Sequence, residues 1–365
     1  MRKINVAVVG CGYVADGHLK AWRKSQRANV VAISDLNEKL ARQTAEFWKI
    51  PKYYSSLTNL LANADVDLVD ICTPPHTHAD LAIEAMKAGV NVLIEKPMTI
   101  TVKDAERIVE CQKATKVKAG VIHNWLFDDP VLKANSIVKE GKLGEVYNIK
   151  IEALNTKYDP MVINERHWCH KMPGGRFGEM LAHPIYLVRH FLKGEPLICD
   201  IQVSKIGDYP WMKSDELCAI LKVNEKLGMA YASFNSSRDA VYINLYGTKG
   251  IIKIDLINSI LTFMPKMKIN RFSKGFDSLR QAGQIFKCTV KNMSKIISKR
   301  WMTGHDMYIK LFAESIINDD EPPVSVIDGL AVTKTLEEAC LRIEQLERAS
   351  ENSMITIIAS SNQGK

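Results

Sequence analysis

Glu179 and His183 stand four residues apart in the stretch GEMLAHP. On a helix that spacing puts a carboxylate and an imidazole on one face, one turn apart. Three readings fit the pair: a general acid/base couple, two ligands of a metal ion, or a surface contact that supports the helix. Just upstream, NERHWCHKMPGG offers His167, Trp168, His170 and Lys171. The indole face could stack on a sugar ring or a nicotinamide, and the cations could meet a carboxylate or phosphate. An ordered loop with half-buried aromatics would use the same residues.

A second set of candidates lies at the N-terminus. INVAVV is a short β-branched apolar run, ended by GCGYVA and followed by the helical pattern ADGHLKAWRKS. Strand, glycine turn and helix in that order are the context a G-x-G-x-x-G/A dinucleotide fingerprint needs. Gly10 permits the tight turn. Gly12, with Tyr13 and Val14, lets backbone amides approach a pyrophosphate at the helix N-terminus, and Ala15 is the third small position. The next strand, NVVAIS, ends at Asp35, where a carboxylate would accept from both ribose hydroxyls and repel a 2′-phosphate. NAD is therefore favoured over NADP. The alternative for Asp35 is the N-cap of the helix NEKLARQTAEF.

The elements that must position these residues follow from the same pattern. VDLVDICT, NVLIEKP and KVKAGVIHN read as strands, separated by the helical HADLAIEAMKAG and TVKDAERIVECQKAT. Such alternation implies right-handed βαβ units and an α/β fold, a Rossmann doubly wound parallel sheet over residues 1–122. From about residue 145 the pattern becomes VYNIKIEALNT, CAILKVNEKLGMAYASFN and AVYINLYGTKGIIKIDL, strands joined by turn-like NEKLG and GTKG. This predicts a second, α+β domain over 123–365 with a large, mostly antiparallel sheet, backed by the helix of Glu179 and His183. Two terminal helices should flank the turn NDDEPP.

Composition sets the outer bounds. With 365 residues, 46% apolar and 25% charged, the chain suits two globular domains, and it has no 18-residue apolar run. The opening MRKINVAVVG reads as a buried strand rather than a signal peptide, so a cytoplasmic protein is expected. Eight cysteines without a CxxC pair read as reduced, buried thiols. The net charge is +8, yet residues 265–301 carry ten Lys or Arg against the single acid Asp277, leaving about −1 for the rest. A nucleic-acid footprint over the whole protein is not supported.

At ICTPPHTHADLAIEAMKAGVNVLIEKPMTI the chain resembles the Gfo/Idh/MocA family of NAD(P)-dependent oxidoreductases. The likeness rests on the glycine turn, TPPHTHA and EKP, and continues through HNWLFDDPVLKANSIVKEGKLGEVYNIKIE. It implies an enzyme acting on CH–OH groups of a sugar, nucleotide sugar or cyclitol. It also implies cofactor contacts at Thr73, Pro74, His78, Glu95, Lys96 and Asn124, and assembly into dimers or tetramers through the open face of the second sheet. A Lys at a strand end beside a nicotinamide can hold or donate the proton that accompanies hydride transfer, which suits Lys96. The alternative is a surface lysine paired with Glu95. His123 and Asn124, after the last strand of the first sheet, could touch nicotinamide or substrate.

PGGRFGEMLAHP is similar to the family's substrate-facing motif, with Glu179 for its Asp and His183 for its His. Pro173 and Leu181 replace two glycines, and Tyr186 stands at a commonly acidic position. The resemblance makes His183 the general base, with Glu179 orienting it or holding a neighbouring hydroxyl; Trp168, His170 and Arg176 are the further candidate substrate contacts. No metal is expected: one His and one Glu are too few ligands. Two rivals remain, a glycosidase that uses NAD without net redox and a sugar- or dinucleotide-sensing protein.

The basic stretch 265–301 is an insert in this second domain. Leu279, Ala282, Phe286, Val290, Met293 and Ile297 fall at helical spacing, beside Lys287, Lys291, Lys295 and Lys299. Such a helix could lie on an anionic bilayer, which would make the protein membrane-associated, or pack on its own domain with a solvated lysine face, or bind a nucleotide-sugar diphosphate.

Overall fold

The apolar runs of the first half become short strands buried on both faces. The structure is a computed structural model and describes residues 3–156, 158–267 and 271–362. In chain order come β1 (Ile4–Val9), α1 (Tyr13–Ser25), β2 (Ala28–Ser34), α2 (Glu38–Trp48), β3 (Lys52–Tyr54), α3 (Leu57–Asn63), β4 (Leu68–Ile71), α4 (His78–Lys87), β5 (Asn91–Ile94), α5 (Val102–Thr115) and β6 (Ala119–Val121). The six strands are all parallel, in the order β3-β2-β1-β4-β5-β6. Strand order reverses between β1 and β4, which leaves a crevice beyond their C-terminal ends, the place where such sheets bind ligands. Val6, Val8, Ile33, Val69, Ile71, Leu93 and Ile94 are fully buried, as strands covered on both faces require.

The chain divides into two compact units, Met1–Asp129 with Trp301–Lys334, and Pro130–Arg300 with Thr335–Lys365. This differs from a second domain running unbroken from 123 to 365. The reason lies in α11 (Gly304–Asn318), whose apolar face of Tyr308, Ile309, Phe312 and Ala313 is buried in the first unit. A Cβ on Gly120 of β6 would come within 2.6 Å of the Phe312 ring, so the helix lies directly on the last strand. Tyr308 Oη donates to Val324 O at 3.1 Å. A helical apolar face shows in sequence, but the sheet it will cover does not.

The second unit holds α6 (Asp129–Lys139), β7 (Val146–Thr156), α7 (Pro160–Ile163), α8 (Gly175–Met180), α9 (Ala182–Leu192), β8 (Leu197–Ser204), β9 (Glu216–Val223), β10 (Lys226–Ser236), β11 (Ala240–Gly247), β12 (Gly250–Asp255), β13 (Ile260–Pro265) and α10 (Arg271–Ile297). The seven-stranded sheet runs β13-β12-β11-β7-β10-β9-β8 and is antiparallel except where β10 meets β7. Helix α9 lies on one face: a Cβ at Gly228 would sit 2.9 Å from a Val188 methyl. On the other face Tyr147, Leu227, Met229 and Tyr231 remain exposed. The last helix, α12 (Val326–Asn362), begins in the first unit and continues into the second. Of the basic insert, residues 268–270 lie outside the described residues, as do 363–365 of the C-terminal tail. Among the described residues no helix is long and apolar enough to cross a membrane.

Candidate functional site

At the end of β1 the chain turns through Gly10 at φ +96°, where a Cβ would come to 2.9 Å of the Cys72 carbonyl. Only glycine satisfies both conditions. Gly12 precedes α1, and a Cβ built on it meets nothing within 4 Å. The approach to this helix N-terminus is therefore open at Gly12, with Tyr13 exposed and Val14 half-buried on the same turn. Ala15 is buried against the sheet.

Asp35 follows β2. Its Oδ2 accepts from Cys11 N and its Oδ1 from Asn37 N, both at 2.8 Å. The N-cap of α2 is Asn37, whose side chain accepts from Leu40 N, so Asp35 is not the cap. Its carboxylate instead ties the glycine turn to the end of β2. Gly10, Asp35, Thr73 and Pro74 together line a cleft of about 580 Å³. A carboxylate on the wall of this cleft, next to the glycine turn before α1, suits the ribose hydroxyls of a dinucleotide.

His78 was expected to touch the cofactor, but the structure buries it completely. Its Nε2 lies 2.7 Å from Thr73 O and its Nδ1 3.1 Å from Met98 O, and burial pushes its pKa down. The ring joins the Thr73 loop to the turn after β5, so it positions that loop rather than lining the cleft.

That turn carries Glu95 and Lys96, joined to Pro97 by a cis peptide. Glu95 is buried and Lys96 half-buried. Glu95 Oε1 lies 2.8 Å from His18 Nε2 and 3.4 Å from His305 Nε2, while Oε2 accepts from Lys96 N at 2.8 Å. Glu95 is thus an interior anion, not the surface partner of a solvated lysine. On its other side His18 Nδ1 faces Asp70 Oδ2 at 2.8 Å, and Trp22 Nε1 donates to the same oxygen at 2.6 Å. With a carboxylate at each ring nitrogen, His18 carries both protons. Burial opposes that charge, but Asp70 holds the imidazole well above its ordinary value. Burial likewise opposes the Glu95 anion, and hydrogen bonds from His18 and His305 hold it well below the usual carboxylate range.

One ligand atom each of His18, Glu95 and His305 lies within 4.8 Å of the others, so a metal ion there would have to displace the protons that hold this cluster together. His123 is buried at the end of β6, and Asn124 Nδ2 meets His305 Nδ1 at 3.3 Å. The sequence reading missed His18, Asp70, Trp22 and His305. His18 and Trp22 sit one turn apart on α1, a spacing that was visible; nothing local marks His305.

In the second unit, Gly174 and Gly175 take left-handed φ values of +68° and +55°. A Cβ at Gly174 would press on Cys340 Sγ at 3.0 Å, and one at Gly178 on Pro173 O at 2.1 Å, so the PGG…G pattern is a steric requirement. The turn delivers Arg176, Glu179 and His183 to the interior, all three buried. Arg176 Nη1 donates to Glu179, and Nη2 to Asp159 Oδ2 at 3.3 Å. Its guanidinium also lies 5.2 Å from the Phe234 ring centroid. Against burial, the two carboxylates hold the Arg176 pKa up. Arg176, expected as a substrate contact, is paired with the buried Glu179 and the half-buried Asp159.

His183 Nδ1 lies 2.7 Å from Tyr186 Oη. The tyrosine at the commonly acidic position therefore orients the imidazole. Trp168 is half-buried, with the His167 ring 5.2 Å away. Burial lowers the pKa values of His167 and His170, which makes these rings neutral near pH 7 rather than the cations expected. His170 and Arg176 line a separate cavity of about 220 Å³ with Trp211 and Glu347.

Comparison with known proteins agrees with both units. Residues 4–123 match the model of the oxidoreductase family with an NAD-binding Rossmann fold, and residues 131–253 match the GFO/IDH/MocA C-terminal domain. Over 355 residues the chain is 24% identical to a myo-inositol 2-dehydrogenase of Thermotoga maritima, spanning 92% of this chain and 97% of that one. In fold it is similar to the WlbA dehydrogenase of Bordetella pertussis, solved with NADH and UDP-GlcNAcA. The TM-score is 0.77 at 20% identity, with 96% of each chain covered. It is also similar to UDP-N-acetylglucosamine 3-dehydrogenase GnnA of Acidithiobacillus ferrooxidans, with a TM-score of 0.73 at 17% identity over 95% of this chain and 100% of that one. The chain belongs to the GFO/IDH/MocA family of NAD-binding oxidoreductases.

Proposed function

We propose that the protein is an NAD-dependent dehydrogenase acting on a ring CH–OH of a sugar, nucleotide sugar or cyclitol. The observation that carries this reading is the cleft walled by Gly10, Asp35, Thr73 and Pro74, which sets an acid for ribose hydroxyls beside the glycine turn that opens α1. The same acid disfavours a 2′-phosphate and hence NADP. The names of the relatives, an inositol dehydrogenase and two UDP-sugar-related dehydrogenases, support the substrate class.

NAD, when bound, supplies a nicotinamide C4 that accepts the hydride. Everything else falls to the chain. Gly12, Tyr13 and Val14 offer backbone to the pyrophosphate, Thr73 and Pro74 wall the cleft, and Asn124 and Lys96 stand at the nicotinamide end. Lys96 stabilises the substrate oxygen. His183 accepts the hydroxyl proton at Nε2 while its Nδ1–H is donated to Tyr186 Oη. Glu179 acts through Arg176 and keeps the His183 turn in place. His123 and Trp168 are further candidate substrate contacts, His170 belongs to the separate cavity beside Arg176, and the exposed row Tyr147, Leu227, Met229 and Tyr231 supports a homodimer or homotetramer.

The test is NADH absorbance with purified protein and NAD against free sugars, nucleotide sugars and cyclitols. One class should give a signal that Lys96→Met lowers by ~10²–10⁴-fold with NAD affinity retained. Silence on every class, despite saturable NAD binding, would overturn the reading.

A further inference from the structure

Helix α10 is inside out. Its side toward the sheet is polar: Gln281, Gln284, Cys288 and Asn292 recur three or four residues apart and are half-buried or buried. Gln284 accepts from Phe263 N at 2.8 Å and donates to Phe263 O at 3.2 Å. Cys288 Sγ lies 3.7 Å from Leu261 O, and Asn292 Nδ2 donates to Ser259 O at 3.0 Å. These bonds fix the helix along β13 and leave its apolar residues on the opposite side. Leu279, Phe286, Val290, Met293 and Ile297 are 52–77% exposed.

Of the arrangements the sequence leaves open, a helix packed through its apolar face is therefore not the one adopted. Exposed Arg280, Lys287 and Lys291 flank this apolar stripe on one side. An apolar stripe bordered by cations, fixed by its polar back to a folded domain, is the form of an interfacial helix.

We infer that α10 is a docking surface for an anionic lipid bilayer. The stripe enters the boundary between headgroups and acyl chains, while the flanking cations meet lipid phosphates. Charge decides between this occupant and a second copy of the chain. Residues 265–301 carry a net +9, and a twofold contact between two α10 helices would set two such segments together. An anionic membrane answers both the apolar stripe and the positive charge. This inference does not depend on the substrate proposed above.

The experiment is flotation of the full chain with vesicles of phosphatidylcholine alone, or containing about one third phosphatidylglycerol. Binding is expected only with the anionic vesicles. It should weaken about tenfold or more in Lys287→Glu/Lys291→Glu or on raising salt, and be lost in Phe286→Glu/Val290→Glu. All four positions are exposed, and unchanged thermal unfolding checks that both variants fold. No flotation of wild type, or equal flotation of wild type and Phe286→Glu/Val290→Glu, overturns the inference. If wild type fails to float and that variant sediments as a smaller oligomer, the surface belongs to a second copy.

Discussion

Each unit buries one cation between two carboxylates. In the first, His18 lies between Asp70 and Glu95; in the second, Arg176 lies between Asp159 and Glu179. The first cluster stands behind the strand end that presents Lys96, and the second fixes the turn that presents His183. Their cations differ in one respect. A guanidinium keeps its charge at any pH the protein survives, whereas an imidazolium is charged only while its surroundings hold the proton. The same device is thus permanent in one unit and titratable in the other.

The largest expected effect tests whether the clusters are equivalent at all. Arg176→Met leaves Glu179 and Asp159 without their cation and should cost ~3–5 kcal/mol in urea unfolding. A loss under ~1 kcal/mol would mean that water already shields the pair. His18→Gln should cost somewhat less, ~2–3 kcal/mol near neutral pH, since one carboxylate keeps a donor.

pH separates the two clusters further. The His18 pKa is raised above its ordinary 6.5, so its stabilisation is complete below pH ~6.5 and is lost as pH rises through the folded value. Glu95 runs the other way: its stabilisation is present above pH ~4.5 and is lost as pH falls. Wild type and Arg176→Met should therefore both weaken from neutral to alkaline pH, and His18→Gln should flatten that slope. Parallel slopes in all three would remove the distinction.

Two smaller effects sharpen it. Tyr186→Phe takes away the partner of His183 Nδ1 and should lower kcat/KM about tenfold with NAD affinity unchanged. Asp128 shows what a buried acid does beside other acids. Burial first, then Asp306 and Asp129, push its pKa up to about 7, against one opposing hydrogen bond from Gly304 N. Its folded pKa is above its unfolded one, so stability falls as pH rises from ~4 to ~7. Asp128→Asn should be more stable than wild type above pH 7, by at most ~4 kcal/mol, and gain nothing below pH 4, measured by thermal unfolding at the two pH values.

How much of this was legible in the sequence depends on range. The first sheet was readable because each strand is a local apolar run and each helix a local period, and Gly10, Gly12 and Asp35 sit at fixed offsets from them. β3 was missed because Lys52–Tyr54 is too short and too exposed to carry a pattern. Glu179 and His183 were singled out by their spacing on one helix, whereas the helix breaks at Leu181 and leaves Glu179 on α8 and His183 on α9, and their partners were not foreseen. Arg176 reaches Asp159 from a separate turn, and a tyrosine at position 186 reads as core until its hydroxyl is seen on the imidazole. His305 joins Glu95 only because α11 folds back onto the first unit, a decision made by packing. The insert was read correctly as amphipathic, but periodicity alone cannot say which face turns inward. Gln284 decided that through bonds to the backbone of a strand whose existence was itself not foreseen, and Asn292 through bonds to the turn before it.

Gln284 has one more consequence. β13 ends the second sheet, and the amide of Gln284 occupies both backbone groups of Phe263, as a neighbouring strand would. Helix α10 therefore works as a selvedge, closing a border that would otherwise invite strand addition from another molecule. A chain shortened by excising this helix would keep every residue of the cofactor cleft and still be expected to polymerise edge to edge.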